Sequence, residues 1–180
     1  MSVYASLPNL ITLVRLGLVP VVIAMISAGR WQEACVLFIL AGISDAIDGW
    51  LAKRFSLRTE LGAYLDPLAD KALLVSIYVA LAVAGALPST LAIVVVARDV
   101  MIIGAFMVSW LMDKRIKIRP LLISKINTVA QIAFAAAVLG AKAFHFALLP
   151  RFDLAAYGVA ALTLASLAAY LASWSRHMSL

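Results

Sequence analysis

Six apolar runs, each about the length of a bilayer crossing and parted by short polar connectors, leave this chain few possible folds. They span about Pro8–Ala28, Trp31–Ala52, Glu60–Ala84, Pro88–Met112, Leu121–Ala143 and Phe152–Trp174. A crossing helix needs roughly 20 predominantly apolar residues, and every run supplies them. The chain is 65% hydrophobic and 13% charged, with a mean hydropathy of +1.05. Soluble domains sit near half apolar and a quarter charged. The expected fold is therefore all-α: an integral membrane protein of six transmembrane helices, in a single domain over residues 1–180. Ser6 suits the first N-cap and Pro8 the first turn, and Gly29 and Arg30 end that helix. Trp31 is placed as an interfacial anchor for the second. The lone Cys35 excludes a disulfide framework, and with only two histidines it leaves no ordinary structural zinc site. No basic residue precedes Leu7, so the first run reads as a retained helix rather than a cleavable signal.

Against that background, the stretch SDAIDGWLAKRFSLRTELGAYLDPLADK, residues 44–71, stands apart. It holds Asp45, Asp48, Asp66 and Asp70, four of the nine acidic residues. Asp45 and Asp48 are three apart on a helix, and Gly49 and Ala52 continue their face. Gly62, Asp66 and Asp70 step by four along the next helix and share a face there. The two faces are expected to meet across one hairpin. A carboxylate at membrane depth costs roughly 2.5–3.5 kcal/mol even on the lenient insertion scale. Four of them call for cations between them. Hard divalent ions take oxygen ligands, and two-metal sites carry phosphoryl chemistry.

Basic residues set the expected orientation. Lys53, Arg54 and Arg58 follow the second run, and Lys114, Arg115, Lys117 and Arg119 follow the fourth, with Arg176 on the same side. Arg30, Lys142 and Arg151 lie opposite. The excess places both termini and both basic connectors in the cytoplasm, and with them the aspartates, at the depth of the phospholipid headgroups.

The spacing from Asp45 to Asp70 resembles the signature of the CDP-alcohol phosphatidyltransferase family: Asp-x-x-Asp-Gly-x-x-Ala-Arg, eight residues, Gly, three residues, Asp, three residues, Asp. Asp45, Asp48, Gly49, Ala52, Gly62, Asp66 and Asp70 match in type and spacing. Lys53 stands where the family has arginine. Lysine neutralises a phosphate without the bidentate fork, and the adjacent Arg54 could share the contact. The opening PNLITLVR, from Pro8, is similar to the first helix of the phosphatidylglycerophosphate and cardiolipin synthase branches. ARDVMIIGAF, from Ala97, and ISKINTVAQ, from Ile123, look closest to the cardiolipin synthases that release CMP.

What the resemblance implies is a transferase that moves the phosphatidyl group of CDP-diacylglycerol onto an alcohol and releases CMP. Two Mg2+ or Mn2+ ions are implied, with Asp45, Asp48 and Asp66 chiefly metal ligands. Asp70 would be both a ligand and the general base for the attacking hydroxyl. Gly49, Ala52 and Gly62 would let the nucleotide approach closely, and Lys53 would meet its phosphates. Phosphatidylglycerol is the expected acceptor, giving cardiolipin; glycerol 3-phosphate, giving phosphatidylglycerophosphate, is the alternative. Homodimerisation and a bacterial inner-membrane location follow from the same resemblance, and no nucleic-acid partner is expected.

Other polar residues carry two readings each. Asn9 and Thr12 could hydrogen-bond the nucleotide, or Thr12 could bond its own backbone. Arg15 lies within an apolar run, a site hypothesis by default, yet it could snorkel to the interface. Arg98 suits an acidic acceptor, or could form a buried ion pair with Asp99. Arg119 and Lys125 could hold the acceptor's phosphate, whereas Lys114, Arg115 and Lys117 face anionic lipid. From another class, an ion or proton transporter would also place carboxylates in the membrane. The acidic cluster occurs once, without the counterpart that a two-halved transporter would show. A scaffold has no use for it.

Overall fold

The computed structural model describes the backbone of residues 7–54, 60–111, 122–146 and 152–178. Within these, the side chains of residues 7–11, 48–54, 60–68, 70, 106, 108–111 and 176–178 lie outside the described set. The described backbone forms helices α1 (Leu7–Ser27), α2 (Trp31–Arg54), α3 (Glu60–Val83), α4 (Ser89–Leu111), α5 (Leu122–Ala143) and α6 (Phe152–Met178), with no strand among the described residues. These ranges follow the apolar runs closely. α2 continues past the apolar residues through Lys53–Arg54 and α6 through Ser175–Met178; the unbranched side chains of Lys53, Arg54 and Arg176 favour the helix there.

Two helices, over Leu122–Ala143 and Phe152–Ser175, are long and apolar enough to cross a membrane among the described residues. The outward faces of the others are apolar as well. Leu13, Val14, Val36, Ile39, Ile43, Val83, Ile93 and Val100 are all at least half exposed. So broad a spread of exposed aliphatic surface does not suit water, and it does suit a membrane-associated chain.

Contacts between helices follow the order α1–α2–α5–α6–α4–α3 and back to α1, and α3 also meets α5. Inside, the bundle changes character along its length. One half is packed with Val22, Ile26, Phe38, Leu74, Ile77, Leu81, Leu91, Val95, Val138 and Leu139. In the other half, Thr12, Arg15, Arg98, Asp99, Asn127, Gln131, Thr163 and Ser166 are all buried. Odd-numbered helices turn apolar toward their C-termini and even-numbered ones toward their N-termini, so the apolar half lies beside the turns after α1, α3 and α5.

Three of those turns are built alike. Arg30 N–H donates to Met25 O (2.9 Å) and Gly29 N–H to Ile26 O (3.0 Å), closing α1. Ala86 to Leu81 (2.8 Å) and Gly85 to Ala82 (3.0 Å) close α3 in the same way. Gly29 and Gly85 have φ of 70° and 66°, the left-handed residue this C-cap requires. After α5 the left-handed position is His145, with φ 54°. His145 is exposed in this turn. Trp31 meets Lys142, whose Nζ lies 5.7 Å from the indole centroid, so the expected anchor also joins α2 to the end of α5.

Candidate active site

All six helices send polar side chains into the half of the bundle away from these turns. Arg15 of α1 is 1% exposed, and its Nη1 donates to Asp45 Oδ1 of α2 at 2.6 Å. Asp45 itself is 46% exposed, so the pair has one buried partner and one open partner. Lys71 of α3 donates through Nζ to Asp99 Oδ1 of α4 at 2.7 Å. Arg98 donates to the same Asp99 oxygen, and through Nη2 to Ser124 of α5 and Ser166 of α6. One carboxylate oxygen therefore receives two cations, and four helices are tied at one level.

Behind this lies a neutral network. Tyr78 of α3 donates its hydroxyl to the backbone carbonyl of Gln131 at 3.0 Å. Gln131 Nε2 donates to Thr163 Oγ1 of α6 at 3.1 Å. The Thr163 hydroxyl lies 2.9 Å from Asn127 Oδ1 and 2.7 Å from Val159 O, two acceptors for one hydrogen. Asn127 Nδ2 and Gln131 Oε1 are buried without a protein partner among the described residues. The paired groups fix α3, α5 and α6 in register, since moving one leaves others unpaired at about 1–3 kcal/mol each.

The charged pairs open on a cavity of about 690 Å3 between α2, α3 and α5. Arg15, Asp45, Lys71 and Asp99 form its charged end, with Thr128 and Gln131 on the α5 wall. Phe38, Leu73, Leu74, Ile132 and Ala136 line the rest. A cavity with a few convergent charges and a long apolar wall suits an amphiphile: a charged head against the ion pairs and a hydrocarbon portion beside the leucines.

The expected site residues fall as follows. Asp45 lines this cavity. Thr12 is buried one turn before Arg15 on α1. Arg98 is buried within the cluster, which realises the ion pair with Asp99, and it does not line the cavity; Lys125 is exposed near the start of α5. Asn9, Asp48, Gly49, Ala52, Lys53, Gly62, Asp66 and Asp70 sit on α1, α2 and α3, with side chains outside the described residues. Arg119 lies outside them altogether, as do the hairpin faces expected to bring the four aspartates together. Among the described residues no three metal-ligating side chains converge. Asp45 nevertheless fits a hard cation. Its Oδ1 takes Arg15, its Oδ2 has no protein partner among the described residues, and the carboxylate is open to the cavity.

Lys71, Ser124, Gln131, Thr163 and Ser166 were not singled out in the sequence. A polar residue inside an apolar run was the available signal: Asn127 and Gln131 are four apart on α5, and Thr163 and Ser166 three apart on α6. Lys71 was masked by its neighbourhood, since it sits beside Asp70 at the end of the acidic stretch.

Residues 5–173 match the family model described as CDP-alcohol phosphatidyltransferase. A human relative named "Cardiolipin synthase (CMP-forming)" is 36% identical over 158 residues, covering 79% of this chain and 52% of the relative. The Bacillus subtilis "CDP-diacylglycerol--glycerol-3-phosphate 3-phosphatidyltransferase" is 32% identical over 166 residues, covering 83% of this chain and 85% of the relative. A rice chloroplast protein named for the same glycerol-3-phosphate reaction is 34% identical, over 76% of this chain and 46% of its own. The chain thus spans about half the length of the human and rice relatives and most of the Bacillus one. With the match running from the first helix almost to the end of the sixth, the chain belongs to the CDP-alcohol phosphatidyltransferase family.

Proposed function

We propose that this protein transfers the phosphatidyl group of CDP-diacylglycerol to a glycerol hydroxyl of phosphatidylglycerol, forming cardiolipin and CMP. The observation that carries the reading is the cavity beside Asp45, charged at one end and apolar along its walls, a lining that suits an amphiphile. The similarity to the human relative named cardiolipin synthase supports the same acceptor. Glycerol 3-phosphate is the second reading, favoured by the fuller coverage of the Bacillus relative. The transporter alternative is not carried forward, because the family is one of transferases.

In this reading all six helices cross the membrane as one domain, in a bacterial inner membrane. The shortest, α1, has 21 residues. At about 1.5 Å per residue it is long enough to span the roughly 30 Å hydrocarbon layer. The termini and the charged half of the bundle face the cytoplasm, where CMP is released, and the protein works as a homodimer.

Asp45, Asp48, Asp66 and Asp70 would hold two divalent ions, Mg2+ or Mn2+. Such ions, when bound, neutralise the donor's diphosphate and the charge on departing CMP. Arg15 holds Asp45 in place through its 2.6 Å ion pair. Asn9, Thr12, Gly49, Ala52, Gly62 and Lys53 receive the nucleotide and its phosphates. Asp70 takes the proton of the acceptor hydroxyl as its oxygen bonds to the phosphatidyl phosphorus. The bond from that phosphorus to the CMP oxygen breaks, and its electron pair leaves with CMP. Arg119 and Lys125 serve the acceptor directly, and Arg98 serves it through the Asp99 carboxylate that it anchors.

The test supplies purified protein with CDP-diacylglycerol and Mg2+, then each acceptor separately, and identifies the lipid product by mass. Cardiolipin from phosphatidylglycerol is expected. Phosphatidylglycerophosphate alone, from glycerol 3-phosphate, would move the protein to the second reading.

A further inference from the structure

We propose that Lys71 binds the phosphate of the acceptor, positioned for it by Asp99. The inference rests on the phosphatidyltransferase reading and adds a residue to its acceptor side. Arg98 and Lys71 both meet the Asp99 carboxylate, so Asp99 divides its charge between two cations.

Of the two cations, Lys71 is the one open to a ligand. Arg98 is 2% exposed and holds Asp99, Ser124 and Ser166, whereas Lys71 is about one-third exposed and lines the cavity. Its ammonium carries three donors, and Asp99 takes one. Asp99 therefore acts as a positioning residue that holds the ammonium at the cavity wall.

Helical geometry turns this contact away from the face of α3 that carries Asp66 and Asp70. Gly62, Asp66 and Asp70 repeat every four residues along one face of α3. Lys71 is turned by about 100° from Asp70, and its ammonium is joined to α4. A phosphate at Lys71 thus belongs to the substrate that approaches along α4 and α5. Thr128 and Gln131 stand on the α5 wall of the same cavity. Both candidate acceptors carry the required chemistry, a diester phosphate in phosphatidylglycerol or a monoester in glycerol 3-phosphate.

Lys71→Met is a discriminating variant because Asp99 keeps Arg98, so no buried carboxylate is orphaned. In mixed micelles of neutral detergent, the Michaelis constant is measured for each substrate with the other saturating. Loss of a charge-assisted hydrogen bond predicts a rise of roughly 10- to 100-fold in KM for the acceptor. The KM for CDP-diacylglycerol and kcat should stay within about twofold, and Lys71→Arg should recover most of the loss. Lys71→Gln, which can still donate to Asp99, provides a second measurement should Lys71→Met assemble poorly. If wild-type protein uses only glycerol 3-phosphate, the cardiolipin reading falls, and Lys71 is judged on the KM for that compound. An unchanged acceptor KM overturns the proposal, as does a rise for CDP-diacylglycerol instead, or equal rises for both.

Discussion

At the scale of single residues, neighbours in sequence do different work because a helix separates them in space. Asp70 and Lys71 are adjacent, yet the side chain of Lys71 is committed to α4 through Asp99. Asp70 follows the spacing of Gly62 and Asp66, and its proposed role is that of base. Asp70→Asn keeps the size of the side chain and one oxygen while removing the proton acceptor. Transfer should fall by about 100- to 10,000-fold, the range a general base supplies, while the purified protein remains monodisperse. Turnover equal to wild type would take Asp70 out of the mechanism. Arg15 shows the reverse relation, two residues far apart in sequence acting as one unit, with Asp45 thirty positions away.

Among elements, the ends of α1, α3 and α5 show how one solution is met with different residues. Gly29 and Gly85 adopt the left-handed conformation freely, whereas His145 adopts it with a side chain attached. That conformation costs a residue with a Cβ about 1–2 kcal/mol. Glycine recovers this, less its own greater loss of chain entropy on folding, about 0.5–1 kcal/mol. His145→Gly should therefore stabilise the protein by up to about 1 kcal/mol, seen as an unfolding midpoint a few degrees higher in the same detergent. A lower midpoint would mean that the imidazole makes a contact worth more than the strain. The change lies at the apolar end of the bundle, so activity should be unaffected.

Taken whole, the molecule is a bundle with a dry half and a charged half, and the proposed chemistry belongs to the charged one. Its described donors are carboxylate, hydroxyl and amide oxygens, while the one cysteine, Cys35, is buried among apolar side chains. Such a set suits hard cations rather than zinc. Exhaustive treatment with EDTA should abolish transfer, and Mg2+ or Mn2+ should restore it. A chelator selective for zinc should leave the rate unchanged. Full activity in EDTA would remove the divalent ions from the mechanism.

Much of this was legible from the chain alone, for physical reasons that can be named. Six helices were readable because apolar runs of bilayer length admit little else, and their ends moved by more than one residue only where α2 runs on through Lys53–Arg54 and α6 through Ser175–Met178. The family was readable because Asp45, Asp48, Gly49, Ala52, Gly62, Asp66 and Asp70 keep a fixed spacing, and helical periodicity turns fixed spacing into shared faces. Arg15 and Arg98 were visible as charges in apolar surroundings, but two readings of each stood open. Tertiary structure supplied the partners of both. Arg15 is buried against Asp45 instead of snorkelling, and Arg98 is enclosed with Asp99, Ser124 and Ser166. It also brought Lys71 to the cavity and linked Tyr78, Gln131 and Thr163 across three helices. Partners from different helices have no fixed sequence spacing. Helix order around the bundle, here α1–α2–α5–α6–α4–α3, chooses them, and that order is set by packing.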